Sequence, residues 1–436
     1  MQKDTRTTAH GRIQKDLREV NDKLNPDSPP IFALPVGDSL DHVDALIMGP
    51  PETPYSFGFF RFDMQFPSTY PNTPPKVLMY ELHLLYAAIF ARTHPFHRSY
   101  GLTTFIRAVC LSILGTWSGE SEDEWRSSYS INYVLSAIQS LIMTAKPYHN
   151  EPGYEEGGEH DNPEEINAYS DKITHEVMRI AVCGMVEDAI LGRNEPWNEL
   201  IKHQFLLWFD NYLSTAEREL ARGLEGQEFR PMPFEFDGNT AAGKYNYTNI
   251  IARLKDLKSR IDRETEEWKE KGKVFTKKET GWKYYQLMEE AEKFKSGKVT
   301  LEGVSAAPVE DDNLYHWQAS IFGPDGSPWE GGFYNVDIIF SEDEAPPRVR
   351  FITEMFHPHV TSDGIPFYLV APARRGLVAT ILTAIIKLLK ANPNPSPATW
   401  ANVQAAKMYF SNDDEVKKEY RKKVARLVRK SVEGDE

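Results

Sequence analysis

The chain has 436 residues, 41% of them apolar, which is enough to bury more than one hydrophobic core. The formal net charge of −14 argues against general affinity for nucleic acid, and the apolar runs are too short to span a membrane. Two cysteines are too few for a disulfide framework or a four-cysteine zinc site. We therefore expect a soluble protein of a reducing compartment, the cytoplasm or the nucleus.

The most informative pattern along the chain is a repeat. Residues 49–77 and 323–349 both begin with Gly-Pro, pass through a Pro-aromatic pair to a glycine, and continue into an alternating run. Both stretches end at Pro-Pro-basic-Val. Alternating runs between Gly and Pro turns predict half-buried antiparallel strands. Because the two stretches lie so far apart, the repeat indicates a duplicated domain rather than a solenoid.

Helices are predicted around and between the two copies. Apolar residues recur at helical spacing in 134–142 and again in 379–389, and a proline follows each stretch. Between the copies, residues 151–165 form an acidic loop or mobile segment, followed by helical patterns at 166–191, 197–222 and 247–270. These patterns predict an α+β protein with two tandem folds, each an antiparallel meander sheet flanked by helices, joined by a helical connector.

The first copy carries a long and specific sequence motif. Residues 109–119 read Val-Cys-Leu-Ser-Ile-Leu-Gly-Thr-Trp-Ser-Gly, and Phe66, Pro67, Tyr70, Pro71, Pro74 and Pro75 precede them. Together these residues resemble the ubiquitin-conjugating enzymes over about 12–153, and the second copy extends over about 277–430. The run Pro-Tyr-His-Asn-Glu-Pro-Gly at 147–153 resembles the large subgroup that includes the conjugating domain of the giant apoptosis-inhibitor protein. We expect a conjugating domain at 1–155, a connector at 156–272 and a second conjugating-like domain at 273–436.

The resemblance implies acyl transfer through Cys110. This cysteine would accept ubiquitin or a ubiquitin-like modifier from an activating enzyme as a thioester, and would pass it to a lysine of a protein substrate, with or without a ubiquitin ligase. A thiolate is a good nucleophile, so the chemistry needs no catalytic triad, metal or cofactor. We interpret Cys183, which lies in an apolar helical pattern, as a buried core residue.

The first copy departs from the family beside its cysteine. The family's His-Pro-Asn motif is replaced by His94, Pro95 and Phe96, and phenylalanine cannot donate a hydrogen bond to an oxyanion. Losing one such donor costs about 2.7 to 4 kcal/mol in other enzymes. His97 could donate in its place, although a loop histidine is more often a bystander.

Acidic residues follow the active-site motif as well. Glu151 and Glu155 either help to orient the incoming lysine, by analogy with the family, or belong to a solvated loop. The charge pattern alone leaves both interpretations open.

Two predicted ligase-contacting loops lack the apolar residues usual in the family. Asn72 follows the first Tyr-Pro pair, and Arg126, Ser127 and Ser128 follow Trp125. Apolar anchors usually dominate such interfaces, so these departures argue against ordinary RING-type ligases. Substrate selection through the added domains is the alternative.

The second copy departs further. Its motif reads His357, Pro358 and His359, and the position of the cysteine falls on Phe367. It therefore resembles a conjugating-enzyme variant domain, which binds ubiquitin or a partner without forming a thioester.

Two rival hypotheses remain beside the conjugating enzyme. Phe96 and Phe367 suggest a non-catalytic scaffold in which both folds bind ubiquitin or client proteins. A cysteine hydrolase that uses Cys110 with His94 or His97 is the weaker rival, because the sequence offers no evident Asn or Asp to orient the histidine.

Overall fold

The computed structural model describes residues 5–22, 28–37, 39–80, 106–109, 111–115, 124–235, 242–343, 345–368 and 378–433. The chain divides into two compact units. The first contains residues 1–185 and 217–250, and the second contains residues 186–216 and 251–436. In the described ranges, every helix is too short or too polar to cross a lipid bilayer.

The first unit is built on a five-stranded antiparallel meander whose strands lie side by side in chain order. Helix α1 precedes it, Thr5–Asp22. The strands are β1 Ile31–Val36, β2 Ser39–Met48, β3 Phe59–Gln65, β4 Lys76–Tyr80 and β5 Ile106–Ala108. A 3₁₀ turn Ser112–Leu114, helix α2 Ile131–Ala137 with a π-helical continuation Ile138–Ile142, and a 3₁₀ turn Pro147–Asn150 follow.

The core of the first unit lies between the meander and the helices. In α1 the buried residues recur every three or four positions, which places them on one face of the helix: Ala9, Ile13, Leu17 and Val20. In β3 the core-facing residues Phe60 and Phe62 alternate along the strand, and both are fully buried. The strands and helices of this copy therefore form where the sequence pattern predicts them.

Helices follow the first meander, also as the pattern predicts. Asn162 caps α3 (Pro163–Glu176) by accepting the Glu164 N–H at 3.1 Å, and a proline occupies the first helical position. The chain continues through a π-helical segment, Val177–Gly184, into α4, Met185–Ile190. Two long helices come next, α5 Asn198–Ala221 and α6 Tyr247–Lys278.

The second unit contains a four-stranded antiparallel meander, again in chain order. Helix α7, Trp282–Lys295, precedes it. The strands are β6 Val304–Pro308, β7 His316–Phe322, β8 Phe333–Ile339 and β9 Arg348–Phe351. After them come α8 Val378–Lys390, a 3₁₀ turn Pro397–Thr399, α9 Val403–Tyr409 and α10 Asp414–Glu433.

The repeated Gly-Pro stretches form the same turn in both copies. The Gly49 N–H donates to Gly58 O at 3.0 Å, and the Gly323 N–H donates to Gly332 O at 2.9 Å. A Cβ on either initial glycine would lie less than 2 Å from a carbonyl oxygen, 1.9 Å from Tyr55 O in one copy and 1.7 Å from Trp329 O in the other. The sequence repeat therefore reflects a structural one, and the predicted α+β fold with two meander sheets is confirmed.

Candidate functional site

The predicted nucleophile Cys110 lies outside the described residues, as do His94, Phe96 and His97. Its two neighbours in the chain are described, and both are buried in the core of the first unit. Val109 is 2% exposed and Leu111 is 7% exposed.

Backbone hydrogen bonds fix the chain before and after residue 110. The Val109 N–H donates to Val77 O at 2.9 Å, which extends the pairing of β5 with β4 by one residue. After Leu111 the chain forms the 3₁₀ turn, and the Gly115 N–H closes it on Ser112 O at 2.9 Å. Gly115 has a φ of 68°, a left-handed conformation that glycine adopts without strain. A strand end and a closed turn thus frame the position of the predicted nucleophile.

The second part of the motif, residues 147–153, forms a turn held by side-chain hydrogen bonds. Tyr148 is fully buried, and its hydroxyl donates to Glu165 Oε2 at 2.7 Å. Asn150 Nδ2 donates to Ile142 O at 2.8 Å. Burial, together with the hydrogen bond to Glu165, raises the pKa of Tyr148, so this hydroxyl stays a neutral donor. The turn is therefore attached both to α3 and to the end of the preceding helix.

The two acidic candidates occupy different environments. Glu151 is only 7% exposed, so a solvated position, one of the two interpretations left open, is wrong for this residue. The pKa values of Tyr55 and Tyr169 are raised mainly by burial, and the negative charge of Glu151 adds to both shifts. Glu155 is exposed and accepts the Gly153 N–H at 2.9 Å, which makes it part of the turn's own hydrogen bonding.

The two predicted ligase-contacting loops lie together in the first unit. The indole N–H of Trp125 donates to Pro71 O at 2.7 Å and joins them directly. Below them, the buried Asp16 accepts the Tyr70 hydroxyl at 2.6 Å and the Arg12 Nε–H at 2.8 Å. Arg12 also donates to three successive carbonyls of the second loop, those of Ser127, Ser128 and Tyr129, at 3.0 to 3.3 Å. Helix α1 therefore holds both loops in place.

Beside these loops lies an aromatic pair that sequence reasoning missed. The rings of Tyr129 and Tyr133 stack with centroids 4.2 Å apart, and Tyr133 is 45% exposed. Stacked tyrosines present a rigid contact surface of the kind enriched at protein interfaces. Tyr129 precedes Ser130, the N-cap of α2, and Tyr133 lies in the first turn, so two tyrosines on either side of a capping serine were the signal available in the sequence.

The other cysteine has no access to solvent. Cys183 is 0% exposed within the π-helical segment, as its apolar surroundings predict. Its interpretation as a core residue is confirmed.

In the second copy, Phe367 lies where the cysteine is expected. Its N–H donates to His359 O at 2.7 Å. Its half-buried ring lies 5.7 Å, centroid to centroid, from the ring of Trp208, which is fully buried in α5. At the position predicted for the cysteine, the side chain is therefore a phenyl ring packed against a helix.

The histidines of the second motif are also part of the core. His357 is fully buried, its ring stacks at 4.2 Å on Trp329, and its Nδ1 accepts the His359 N–H at 2.8 Å. The Asn394 N–H donates to His359 Nε2 at 3.1 Å. Burial lowers the pKa of both histidines, which keeps them neutral acceptors. His359 therefore binds the loop at 394–399, and His357 holds the backbone of His359.

Within the described ranges, His, Cys, Asp and Glu nowhere gather in a group of three or more that could hold a metal ion.

The sequence model described as "Ubiquitin-conjugating enzyme" matches this chain twice, over residues 12–175 and 286–427. Because these matches cover well over half of the sequence, the chain belongs to the ubiquitin-conjugating enzyme family. The first matched stretch includes Cys110, and the second includes Phe367.

Individual relatives carry the same family name. Ubiquitin-conjugating enzyme E2 Z of Danio rerio is 34% identical over 251 residues, which cover 57% of this chain and 68% of that protein. E2 Z of Homo sapiens is 34% identical over 251 residues, 57% of this chain and 63% of its own length. Ubiquitin-conjugating enzyme E2 3 of Arabidopsis thaliana is 40% identical over 134 residues, 30% of this chain and 84% of the relative. The chain thus spans about two thirds of the length of its E2 Z relatives.

Proposed function

We propose that this protein is a conjugating enzyme that carries ubiquitin or a ubiquitin-like modifier on Cys110 and transfers it to lysines of protein substrates. The observation that carries the proposal is the family match over residues 12–175, which contains the 109–119 motif. The buried, hydrogen-bonded flanks of residue 110 support it, because a nucleophile must be held in a defined place.

The proposed reaction consists of two acyl transfers. First, the Cys110 thiolate attacks the thioester carbonyl of the modifier on the activating enzyme, and the activating enzyme's thiolate leaves. Then a substrate lysine amine attacks the new thioester, Cys110 leaves as a thiolate, and the amine loses a proton as the amide forms. Neither transfer needs a metal or cofactor. A free thiol is required at the start, which fits a reducing compartment such as the cytoplasm or nucleus.

The proposed partners follow from this chemistry. They are the modifier, an activating enzyme and protein substrates, with a ligase as an optional partner. The joined loops around Pro71 and Trp125, together with the Tyr129 and Tyr133 stack, form the surface that we assign to protein contacts. The second copy, with Phe367 packed on Trp208, serves as a structural or recognition module.

The decisive experiment is a charging assay. The protein is incubated with an activating enzyme, ATP and its modifier, for ubiquitin and for ubiquitin-like modifiers in turn, and the products are separated on a non-reducing gel. We expect a band that a thiol reductant removes, that Cys110→Ser abolishes and that Cys183→Ala retains.

If the protein is charged with neither ubiquitin nor any ubiquitin-like modifier, the proposal is contradicted and the scaffold hypothesis is favoured. A thioester that depends on Cys183 instead of Cys110 would overturn the assignment of the site.

A further inference from the structure

A segment from the connector is docked onto the first unit along α3. Residues 224–235, which we call the strap, contact this helix at several points. Arg230 binds Glu165 near the start of α3 at 3.0 Å, and Glu235 pairs with Lys172 further along. Phe234 packs against Tyr169, which lies between these two points. These contacts hold the last part of the strap, residues 230–235, along α3 between Glu165 and Lys172.

The pair of Lys172 and Glu235 is an unusual anchor. The two side chains are 0% and 1% exposed, so both charges are withdrawn from water. Glu235 also accepts the Met232 N–H at 3.0 Å, which satisfies a second acceptor site. Two buried charges are tolerated only while they stay paired, so this contact specifies one position of the strap on α3.

Next to this anchor, Phe234 lies among three tyrosines. Its ring centroid is 5.4 Å from that of Tyr148, 5.1 Å from Tyr154 and 5.2 Å from Tyr169, and all three contacts are edge to face. This is the favourable geometry for aromatic pairs. Two of the three partners, Tyr148 and Tyr154, belong to the turn at 147–154 rather than to α3.

Those two tyrosines hold the backbone of Glu151 on either side. The Glu151 N–H donates to Tyr148 O at 3.3 Å, and the Tyr154 N–H donates to Glu151 O at 3.0 Å. Glu151 as a residue is buried. A buried charge is less screened than a solvated one, so its effect on nearby groups depends closely on its position.

We propose that Phe234 is a positioning residue for the transfer of the modifier to lysine. Through Tyr148 and Tyr154 it holds the 147–154 turn, and with it Glu151, in the arrangement that the acceptor amine requires. The proposal rests on the proposed function, because it concerns the second of the two acyl transfers. Loading of Cys110, the first transfer, does not depend on the strap.

The test measures the two transfers separately in the full-length protein. Loading is followed on non-reducing gels, and discharge is followed as single-turnover loss of the thioester against free lysine concentration. For Phe234→Ala we expect normal loading and about a tenfold lower discharge rate at low lysine concentration, because small displacements of reacting groups have large effects on rate. Phe234→Tyr keeps the ring and should restore the rate.

The matched control is Phe229→Ala, on the same strap. Phe229 is buried, whereas Phe234 is partly buried, and Phe229 packs against His175, at the far end of α3, with ring centroids 5.3 Å apart. We expect it to lower thermal stability as Phe234→Ala does, while discharge stays within about twofold of the wild type. Equal losses of discharge in the two variants would show a general effect of strap stability and overturn the proposal.

A double variant separates positioning from simple destabilisation. Glu151→Gln keeps the shape of the side chain and removes its charge. If Phe234 acts through Glu151, then Phe234→Ala causes no further loss of discharge in the Glu151→Gln background. If the discharge rate of the double variant is instead reduced by the product of the two single reductions, the proposal is contradicted. Failure of the wild type to load at all would instead refute the proposed function, and the two failures are therefore distinguishable.

Discussion

The two copies share a scaffold and differ at the place where chemistry is expected. Both retain the Gly-Pro turn with its buried aromatic residue, Tyr55 in the first copy and Trp329 in the second. The position predicted for the cysteine holds Cys110 in the first copy and Phe367 in the second. The turn residues that the fold requires are thus alike in both copies, whereas the residues at the predicted site differ. The comparison separates what makes this fold from what the proposed reaction would require.

The Pro-Pro-basic-Val element shows a second difference. Lys76 of the first copy is exposed, whereas Arg348 of the second is 5% exposed. Arg348 donates to Glu199 Oε2 at 3.0 Å, lies 3.5 Å from Glu264 Oε2 and has its guanidinium 4.8 Å from the centre of the Trp268 ring. These partners lie on α5 and α6. A surface position of one copy has therefore become an interior position of the other, where connector helices cover it.

The largest expected effect is the loss of charging when the thiol is moved from position 110 to position 367. A variant with Cys110→Ser and Phe367→Cys has a thiol only in the second copy's position, besides the buried Cys183. We expect no thiol-sensitive charging, because the position at 367 packs against Trp208 instead of facing a partner. The charging assay on non-reducing gels measures it. A thioester on residue 367 would show that the second copy lost only its nucleophile.

The next effect concerns the buried charge of the second copy. Glu199→Ala with Glu264→Ala removes the two carboxylates that pair with Arg348 and also with the buried Lys202, and therefore leaves both charges uncompensated in the interior. We expect a loss of about 3 to 5 kcal/mol in the free energy of unfolding, measured with urea.

Lys76→Ala in the first copy is the control for this variant and should change stability by no more than about 0.5 kcal/mol. If Lys76→Ala and the double glutamate variant lose similar free energies of unfolding, the different burial of Lys76 and Arg348 has no energetic consequence.

The shared turn should respond alike in both copies. Gly49→Ala and Gly323→Ala each place a methyl group against a backbone carbonyl, which cannot swing away as a side chain can. We expect each to destabilise the protein by about 1 to 3 kcal/mol in urea unfolding. Gly37→Ala serves as a control for backbone conformation, because Gly37 has a φ of 59° but open space around its Cβ position. If alanine is tolerated at Gly49 but not at Gly323, or the reverse, the two turns are not equivalent.

The smallest effect is a pH dependence specific to the second copy. Burial lowers the pKa of His357 well below its usual value, so the folded state keeps this ring neutral. Below about pH 6.5 the unfolded chain binds a proton that the folded state rejects. The neutral His357 ring therefore costs no stability above that pH. Below it, the free energy of unfolding falls by up to about 1.4 kcal/mol per pH unit. Thermal unfolding between pH 7.5 and 5.5 measures the slope.

His357→Asn supplies the comparison, because asparagine can still accept the His359 N–H but does not titrate. We expect a smaller loss of stability on acidification than in the wild type, even if the variant is less stable at neutral pH. An unchanged pH slope would contradict the assignment of the effect to His357.

Local patterns in the sequence predicted most of the secondary structure. Strand alternation, helical spacing and the Gly-Pro turns act over a few residues, and β3, β8, α2 and α8 formed where those patterns occur. The burial of Glu151 could not be predicted from the local charge pattern, because burial depends on the tertiary fold; in the folded chain its charge contributes to the raised pKa of Tyr55, a residue distant in sequence. The buried pair of Lys172 and Glu235 joins residues 63 positions apart for the same reason. Sequence reasoning therefore described the elements well and their long-range contacts poorly.

The contact between Phe367 and Trp208 bears on how the second copy can evolve. A phenylalanine codon becomes a cysteine codon by one nucleotide change, so the genetic distance back to a thiol is small. That change would remove a ring that supports the packing of α5 before any activity could be gained. The ring at position 367 is therefore a packing partner of α5, and its replacement by cysteine would cost the second unit stability before a thiol could be of use.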